Sequence, residues 1–525
     1  MAAFPRNFNT LLFALAVLGA ASPLPAADRP NIVIVLCDDL GYGDVGRLNP
    51  DGKIPTPRMD ALAAAGRTFT DAHSGSSVCS PTRYGLMTGR YAWRTPLQQG
   101  VLGGLSPLMI EPGRLTLASL LKQHGYRTAC IGKWHLGLNW VRQPGKEVSD
   151  WSIETPEQVW NVDYSQPFDG GPLTVGFDEF FGIAGSLDMV PYTFLKNDRV
   201  DVPPTLERQF EMMHANPAQL TRLGPAAPGF EADQVLPRLT GEAVAFVQRQ
   251  AEAARSGEPF CLYLPLASPH TPIAPTSEWL GRSGINPYAD FVMQTDDCIG
   301  RLIDEIDRLG LGDNTLVIVT SDNGCSPLAD LKALQALGHE PSAMLRGYKS
   351  DAFDGGHRVP FLARWPARIP AGSTSAQLIG LFDILATCAD VLDSPLAEDA
   401  AEDSLSFLPA LLGDDGSGAR ESIVHHSVNG TFVIREGNWK LILAPDSGGW
   451  SEPRPNTPQA RELPSVQLYD LASDIAEQHN LAEQQPERVA RLTGILQELV
   501  DSGRSTPGAP QKNAVEIDLL KRSRR

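Results

Sequence analysis

The chain lacks the basic excess of a nucleic-acid binder. Its 44 Lys and Arg residues are outnumbered by 62 Asp and Glu, giving a formal net charge of −18 over 525 residues. A nucleic-acid partner is therefore not expected. An anionic small substrate is still compatible, because a few cations can dominate a cleft. Cysteine is scarce as well. The seven cysteines are Cys37, Cys79, Cys130, Cys261, Cys298, Cys325 and Cys388, and no two stand as C-x-x-C. A zinc or thioredoxin-type site has little support from that pattern. Cys37, Cys130 and Cys261 lie inside apolar runs and read as small buried thiols. The spacing assigns no disulfide, and an odd count leaves at least one thiol unpaired. Internal repeats are lacking too.

Long apolar runs are also missing. The longest candidate, LLFALAVL at residues 11–18, is too short to span a bilayer. Arg6 precedes it and the small residues GAASPLPAA follow it. Residues 1–27 therefore read as a cleaved export peptide, with cleavage after Ala27 or Ala21. No cysteine follows for lipid attachment, and no second run offers a membrane anchor. The expectation is an exported, soluble protein, periplasmic or extracellular. A hydrophobic content of 42% and a charged content of 20% suit a globular chain. The length allows two domains, or one large domain with an appendage.

Residues 31–37, NIVIVLC, form a β-branched run that predicts a buried parallel strand. Residues 128–131, 259–266 and 315–320 repeat that pattern. Helices are expected within 54–65 and over 115–124, 242–254 and 288–309, with Gly66 and Gly125 closing the first two. Residues 138–235 read as loop-rich. Strands alternating with helices predict a mostly parallel sheet covered on both faces. Residues 414–419, DDGSGA, read as a linker. Beyond them, short strands at 422–426, 431–435, 439–443 and 468–470, with a helix over 486–499, predict a small antiparallel sheet with one helix. The expected division is a catalytic domain over 28–415 and a C-terminal α/β subdomain over 416–525, which ends in a basic tail, KRSRR.

Sites in parallel α/β sheets form at the carboxyl ends of strands. Here four such ends carry complementary chemistry. Asp38 and Asp39 follow the first strand, Lys133 and His135 the second, His270 the third, and Asp322 and Asn323 the fourth. Asp and Asn also cap turns, and either pair alone would read that way. Together they are an all-oxygen donor set suited to calcium or magnesium. Lys133, His135, His270 and Lys349, the last from a Gly-rich loop, would bind an anion and protonate its leaving group. Cys79, in SVCSPTRYGLMTGR at residues 77–90, falls at an expected helix N-terminus, with Pro81 in the first turn and Gly89 at the stop. That position is expected to lower a thiol pKa. A thiolate beside carboxylates and a hard cation is mismatched, however, so the site calls for an oxygen nucleophile.

The stretch Cys79-Ser80-Pro81-Thr82-Arg83, continued by Gly85-Leu86 and Thr88-Gly89-Arg90, resembles the signature of the type I, formylglycine-dependent sulfatases. PNIVIVLCDDLGYGDVG at 30–46, GYRTACIGKWHLG at 125–137, SPHTP, TSDNG and the Lys349 loop ending in GGHRVPFLARWP match further family motifs in order. LYDLASDIAEQHNL at 468–481 matches a C-terminal element, with Ile475 and Ala476 where the pattern has proline. The resemblance implies an alkaline-phosphatase-like α/β sandwich and an arylsulfatase-like sulfuric ester hydrolase. It implies calcium bound by Asp38, Asp39, Asp322, Asn323 and the modified Cys79. Arg83 and Lys133 would hold the formylglycine hydrate and the sulfate oxygens. His135 would act as base on the hydrate, and His270 and Lys349 would assist the leaving oxygen. Ser186, in GIAGSLD, is a weaker match to a sulfate-contacting serine. A maturation enzyme that oxidises Cys79 to formylglycine is an implied partner.

A phosphonate monoester hydrolase or phosphodiesterase of the same fold is the alternative. A chain that kept the fold and lost catalysis is a second one, although no ligand of the implied set is missing. The motifs say little about the group that carries the sulfate. It would be met by residues 93–108, 140–177 and 189–229 and by His425 and His426. Trp93, Trp140, Trp151 and Trp160 are possible sugar-stacking surfaces, with local packing the expectation for most of them. A sulfated carbohydrate or an aryl sulfate is the expected substrate.

Overall fold

A computed structural model describes Met1 and residues 29–521. Apart from Met1, the expected export peptide lies outside them, as do the last residues of the basic tail. The strand Asn31–Asp38 is buried along its whole length. It pairs in parallel with Thr315–Ser321 on one side and Phe260–Pro269 on the other. Arg127–Lys133 and then Glu179–Ile183 extend the parallel set. Phe361–Arg364, Arg67–Phe69 and Ser373–Ser375 complete one edge, and Leu195–Lys196 and Arg199–Val200 the other, giving a ten-stranded mixed sheet.

The apolar runs explain the burial. Ile32, Ile34 and Leu36 face one core with Tyr84, Leu117, Leu121 and Ile384. Val33, Val35 and Cys37 face a second with Met59, Leu239, Phe246, Tyr288 and Ile299. A strand covered on both faces must be apolar at every position, which is why its sequence does not alternate. Each fully buried Val, Ile or Leu contributes on the order of 1.5–3 kcal/mol. The covering helices are Cys79–Thr88, Leu117–Gln123 and Ile384–Val391 on one face, and Pro57–Ala64, Val235–Arg255 and Pro287–Arg308 on the other.

A separate antiparallel sheet follows, in the order Ser422–His426, Phe432–Glu436, Trp439–Ile442, Gln467–Asp470. The helix Pro486–Asp501 packs on it through Leu492, Leu496 and Val500, against Val424, Phe432 and Leu441.

Several expectations are corrected. Residues 138–235 contain Glu179–Ile183, a strand of the main sheet whose five residues are too few for a period to register. The helix expected from 242 starts at Val235, because Pro237 is tolerated in its first turn. The strands Arg67–Phe69 and Phe361–Arg364, which lie between Thr315–Ser321 and the edge strand Ser373–Ser375, were not anticipated. His425 and His426 lie in the expected strand at 422–426, but are buried at 1% and 2% exposure rather than facing a substrate.

Candidate active site

Four neighbouring strands of the sheet bring their carboxyl ends together. Asp38 ends the first strand and Asp39 follows in the left-handed region at φ 66°. Ligand atoms of Asp38, Asp39, Cys79 and His270 lie within 4.8 Å of one another, all buried. Asp322 and Asn323 join them: Asp39 N donates to Asp322 Oδ1 at 3.3 Å, and Asn323 Nδ2 donates to Asp39 Oδ1 at 2.7 Å. Asn323 Oδ1 is buried without a hydrogen-bond partner among the described residues. An unpartnered buried acceptor amid three carboxylates suits a cation, and the donors of Asp38, Asp39, Asp322 and Asn323 are hard oxygen.

Three side-chain cations meet those carboxylates. Lys133 Nζ lies 2.6 Å from Asp38 Oδ2, and Lys349 Nζ 2.7 Å from Asp39 Oδ1. Arg83 reaches Asp322 Oδ2 through Nε at 3.1 Å and Nη2 at 2.8 Å, and donates to Lys133 O at 2.9 Å. Burial works against the ionised form of Asp38, but Lys133, His270, Arg83 and Lys349 hold its pKa well below the usual carboxylate range. Asp322 is pushed up to about 6 by burial and by the neighbouring Asp38. Three side-chain cations balance three carboxylates, so an added dication would leave the cleft positive and suited to an anion.

Local folding delivers these groups. Gly132, at φ 145°, sits where a Cβ would fall 1.9 Å from Pro265 O, so only glycine lets Arg127–Lys133 approach Phe260–Pro269 closely enough to place Lys133. His135, at φ 55°, donates from Nε2 to Leu102 O at 2.8 Å. That bond fixes the tautomer and leaves Nδ1, buried and unpartnered among the described residues, as an acceptor. Burial, then Lys133 and Arg83, hold its pKa well below the ordinary histidine value. His270 donates from Nδ1 to Thr271 O at 2.5 Å, and its Nε2 lies 3.7 Å from Asp39 Oδ2.

Cys79 is the first residue of its helix, with Val78 as N-cap and Gly89 ending it in the left-handed region. Its Sγ lies 3.6 Å from Asp38 Oδ1. The expected lowering of its pKa is not found. Burial pushes the thiol up to about 12, with Lys133 and Lys349 opposing and Asp322 and Asp38 adding to it. An unmodified thiol here stays protonated and weakly nucleophilic. All seven cysteines are buried and unpaired.

Ser186 is buried after the Glu179–Ile183 strand, with Oγ unpartnered among the described residues. Nearby Ala184 O accepts from His135 N at 2.9 Å. Trp93 is fully buried and Trp140 nearly so, packed on Tyr164 and Phe168, which makes both packing residues. Trp151 and Trp160 are 37% and 44% exposed.

One supporting group escaped sequence reasoning. Tyr288 OH lies 2.5 Å from Asp44 Oδ2 and 3.2 Å from Asp39 O, and His339 Nε2 lies 2.8 Å from Asp44 Oδ1. Asp44 in the loop after the metal-type aspartates was the only available signal.

A mixed, mostly parallel sheet with an oxygen-rich acidic centre at its strand ends defines an alkaline-phosphatase-like hydrolase fold. The chain belongs to the sulfatase family, whose model matches residues 30–394, and it is a sulfuric ester hydrolase. It is 34% identical over 509 residues to an N-acetylgalactosamine-6-O-sulfatase of Bacteroides thetaiotaomicron, covering 90% of this chain and 93% of that one. It is 32% identical over 485 residues to human arylsulfatase A, covering 89% and 86%. A solved sulfatase structure, titled for glycosaminoglycan metabolism by Bacteroides thetaiotaomicron, superposes with a TM-score of 0.75 at 32% identity, covering 90% of this chain and 99% of that one.

Proposed function

We propose that the protein is exported and removes sulfate from carbohydrate sulfate monoesters, using Cys79 matured to formylglycine beside a calcium ion. The observation that carries this reading is the buried, unpartnered Asn323 Oδ1 among Asp38, Asp39 and Asp322, with Cys79 Sγ 3.6 Å from Asp38. Asp38, Asp39, Asp322, Asn323 and the modified Cys79 would hold the cation. When present, the ion and the aldehyde hydrate supply charge neutralisation and an oxygen nucleophile, which a thiol held at about 12 does not.

The remaining roles fall to residues of the chain. Arg83 and Lys133 position the nucleophile and the sulfate oxygens from fixed, buried sites. His270 and Lys349 face the ester oxygen and give a proton to the departing alcohol. His135 Nδ1, neutral and acceptor-only, takes the proton whose removal frees sulfate. Ser186 Oγ is a further donor to the sulfate.

The substrate class follows the relatives. The bacterial one is named for N-acetylgalactosamine 6-sulfate and the solved structure for glycosaminoglycans. A 6-O-sulfated hexosamine of a glycosaminoglycan is accordingly the first substrate to test. Turnover of an aryl sulfate against the matching aryl phosphate separates this reading from a phosphonate or phosphodiester hydrolase. Preference for sulfate is expected, and preference for phosphate would overturn it. A panel of defined sulfated saccharides then locates the sugar.

A further inference from the structure

Outside the active site, three histidines from three separate segments meet in the interior. His73 lies on the short strand Ala72–His73, His357 ends the helical turn Asp354–His357, and His425 lies in Ser422–His426 of the C-terminal sheet. None is more than 1% exposed. His357 and His425 stack with ring centroids 3.9 Å apart and planes 13° apart, while His73 lies 5.2 Å and 5.0 Å from them. Ring nitrogens of the three lie within 4.8 Å of one another, but His73 Nδ1 and His357 Nδ1 are hydrogen-bonded at 3.0 Å and the planes of His357 and His425 are nearly parallel, so the three form a hydrogen-bonded stack.

The cluster is wired to the segment that enters the Cys79 helix. His425 Nδ1 donates to Ser74 O at 2.8 Å, and Ser74 N donates to His357 O at 2.8 Å. Beside them, Ser77 N donates to His426 O at 3.1 Å, and Ser350 N, next to Lys349, donates to Ser77 O at 2.8 Å. The stack therefore stands behind both Cys79 and Lys349, at the contact between the C-terminal sheet and the main body.

Charged groups face the stack from every side. Asp71 bonds His73 Nε2 at 3.0 Å and is paired with Arg435 at 2.8 Å and Arg358 at 3.4 Å. Asp354 lies 3.8 Å from His357 Nε2 and 3.6 Å from Arg358. Lys440 Nζ lies 3.3 Å from His357 Nε2 and 2.7 Å from both Asp354 and Glu477. Three carboxylates thus balance three cations only while all three rings are neutral. His425 Nε2 has no partner among the described residues, so nothing awaits a proton there.

We propose that the His73–His357–His425 stack is a pH-sensitive brace: neutral, it locks the C-terminal sheet onto the segment entering the Cys79 helix; protonated, it releases that segment. A proton on His357 or His425 places like charge near Lys440 and breaks the balance, while one on His73 meets Arg435 but is favoured by Asp71. Burial, reinforced by the other rings and Lys440, holds His357 and His425 well below the ordinary histidine value, and burial also lowers His73. The opened chain thus binds protons that the closed one refuses. The brace is at full strength above the ordinary histidine pKa, about 6.5, and weakens as pH falls below it. Glu477, pushed up to about 7 by burial and by Asp354, gains a proton over the same range. The closed chain holds that proton and the opened chain does not, so Glu477 opposes the weakening over this range and the loss is carried by the rings.

Hydrogen exchange of the full chain tests this, read at about pH 7.5 and about pH 5 after correction for intrinsic exchange. Peptides spanning 72–78 and 422–426 are expected to lose protection together on acidification, ahead of the central strands. His425→Asn keeps a donor for Ser74 O without a titrating ring. It is expected to flatten that loss, by up to about tenfold per pH unit. Unchanged protection in the wild type, loss spread evenly over the chain, or parallel pH profiles for the wild type and His425→Asn would each overturn the proposal. If the variant does not fold, the wild-type comparison alone decides. His73→Gln, which keeps the bond to Asp71, is an independent second variant with the same expectation.

Discussion

Arg83 and Asp322 form a fully buried side-on pair, with Nε and Nη2 both on Oδ2 at 3.1 and 2.8 Å. The pair ties the Cys79 helix to the end of the strand Thr315–Ser321. Arg83→Ala leaves a buried carboxylate beside Asp38. It is expected to cost about 3–5 kcal/mol of stability and about 10²–10³ in kcat. Arg83→Lys is expected to recover little, because an ammonium cannot reproduce the planar two-nitrogen contact. Unfolding midpoints and sulfate-release rates check both.

Removing the cation is expected to abolish activity and lower the unfolding midpoint. A cation at a hundred times its Kd stabilises by about 2.7 kcal/mol, so chelation followed by calcium or magnesium titration reads the effect directly. Asn323→Ala removes the unpartnered Oδ1 and is expected to raise the calcium concentration needed for recovery.

His270→Ala and Lys349→Ala test leaving-group assistance. Each is expected to cost about 10²–10⁴ on a saccharide sulfate, whose alcohol needs a proton. The loss should be much smaller on a nitrophenyl sulfate, which leaves as a stable anion. Equal losses on both substrates would assign these side chains to binding alone.

Asp296 supplies a pH test away from the site. Its oxygens accept from Arg58 N at 3.0 Å and Met59 N at 2.8 Å, in the first turn of Pro57–Ala64. Burial pushes its pKa up to about 6, against the downward pull of those bonds. The folded chain then holds this proton to higher pH than the unfolded chain. The stability it brings is complete below the unfolded value near 4 and falls away as pH rises through about 6, by up to about 3 kcal/mol. Asp296→Asn is expected to flatten unfolding midpoints between those limits.

The strand ends were legible because β-branched runs buried on both faces have little polar interruption, so Asp38, Lys133, His270 and Asp322 stand out as the first Asp, Lys or His residues beyond them. The helix at Cys79 was legible from Pro81 and Gly89. The thiol pKa was not: a helix N-terminus favours the thiolate, but desolvation at 2% exposure outweighs it. His425 and His426 fall in the strand expected at 422–426, but their burial was not legible, because a short strand does not show whether its last residues face a cleft or a packed element. The Asp44–Tyr288–His339 support and the histidine stack join residues hundreds of positions apart, and no local pattern carries such contacts.

The central claim is that Cys79 is a precursor and the working group an aldehyde hydrate. Peptide mass spectrometry across residues 77–90, on protein from its native host, tests it most directly. The expected result is a peptide that has lost sulfur and two hydrogens, gained one oxygen, and reacts with a hydrazide. A fully active preparation carrying an intact Cys79 thiol would contradict it.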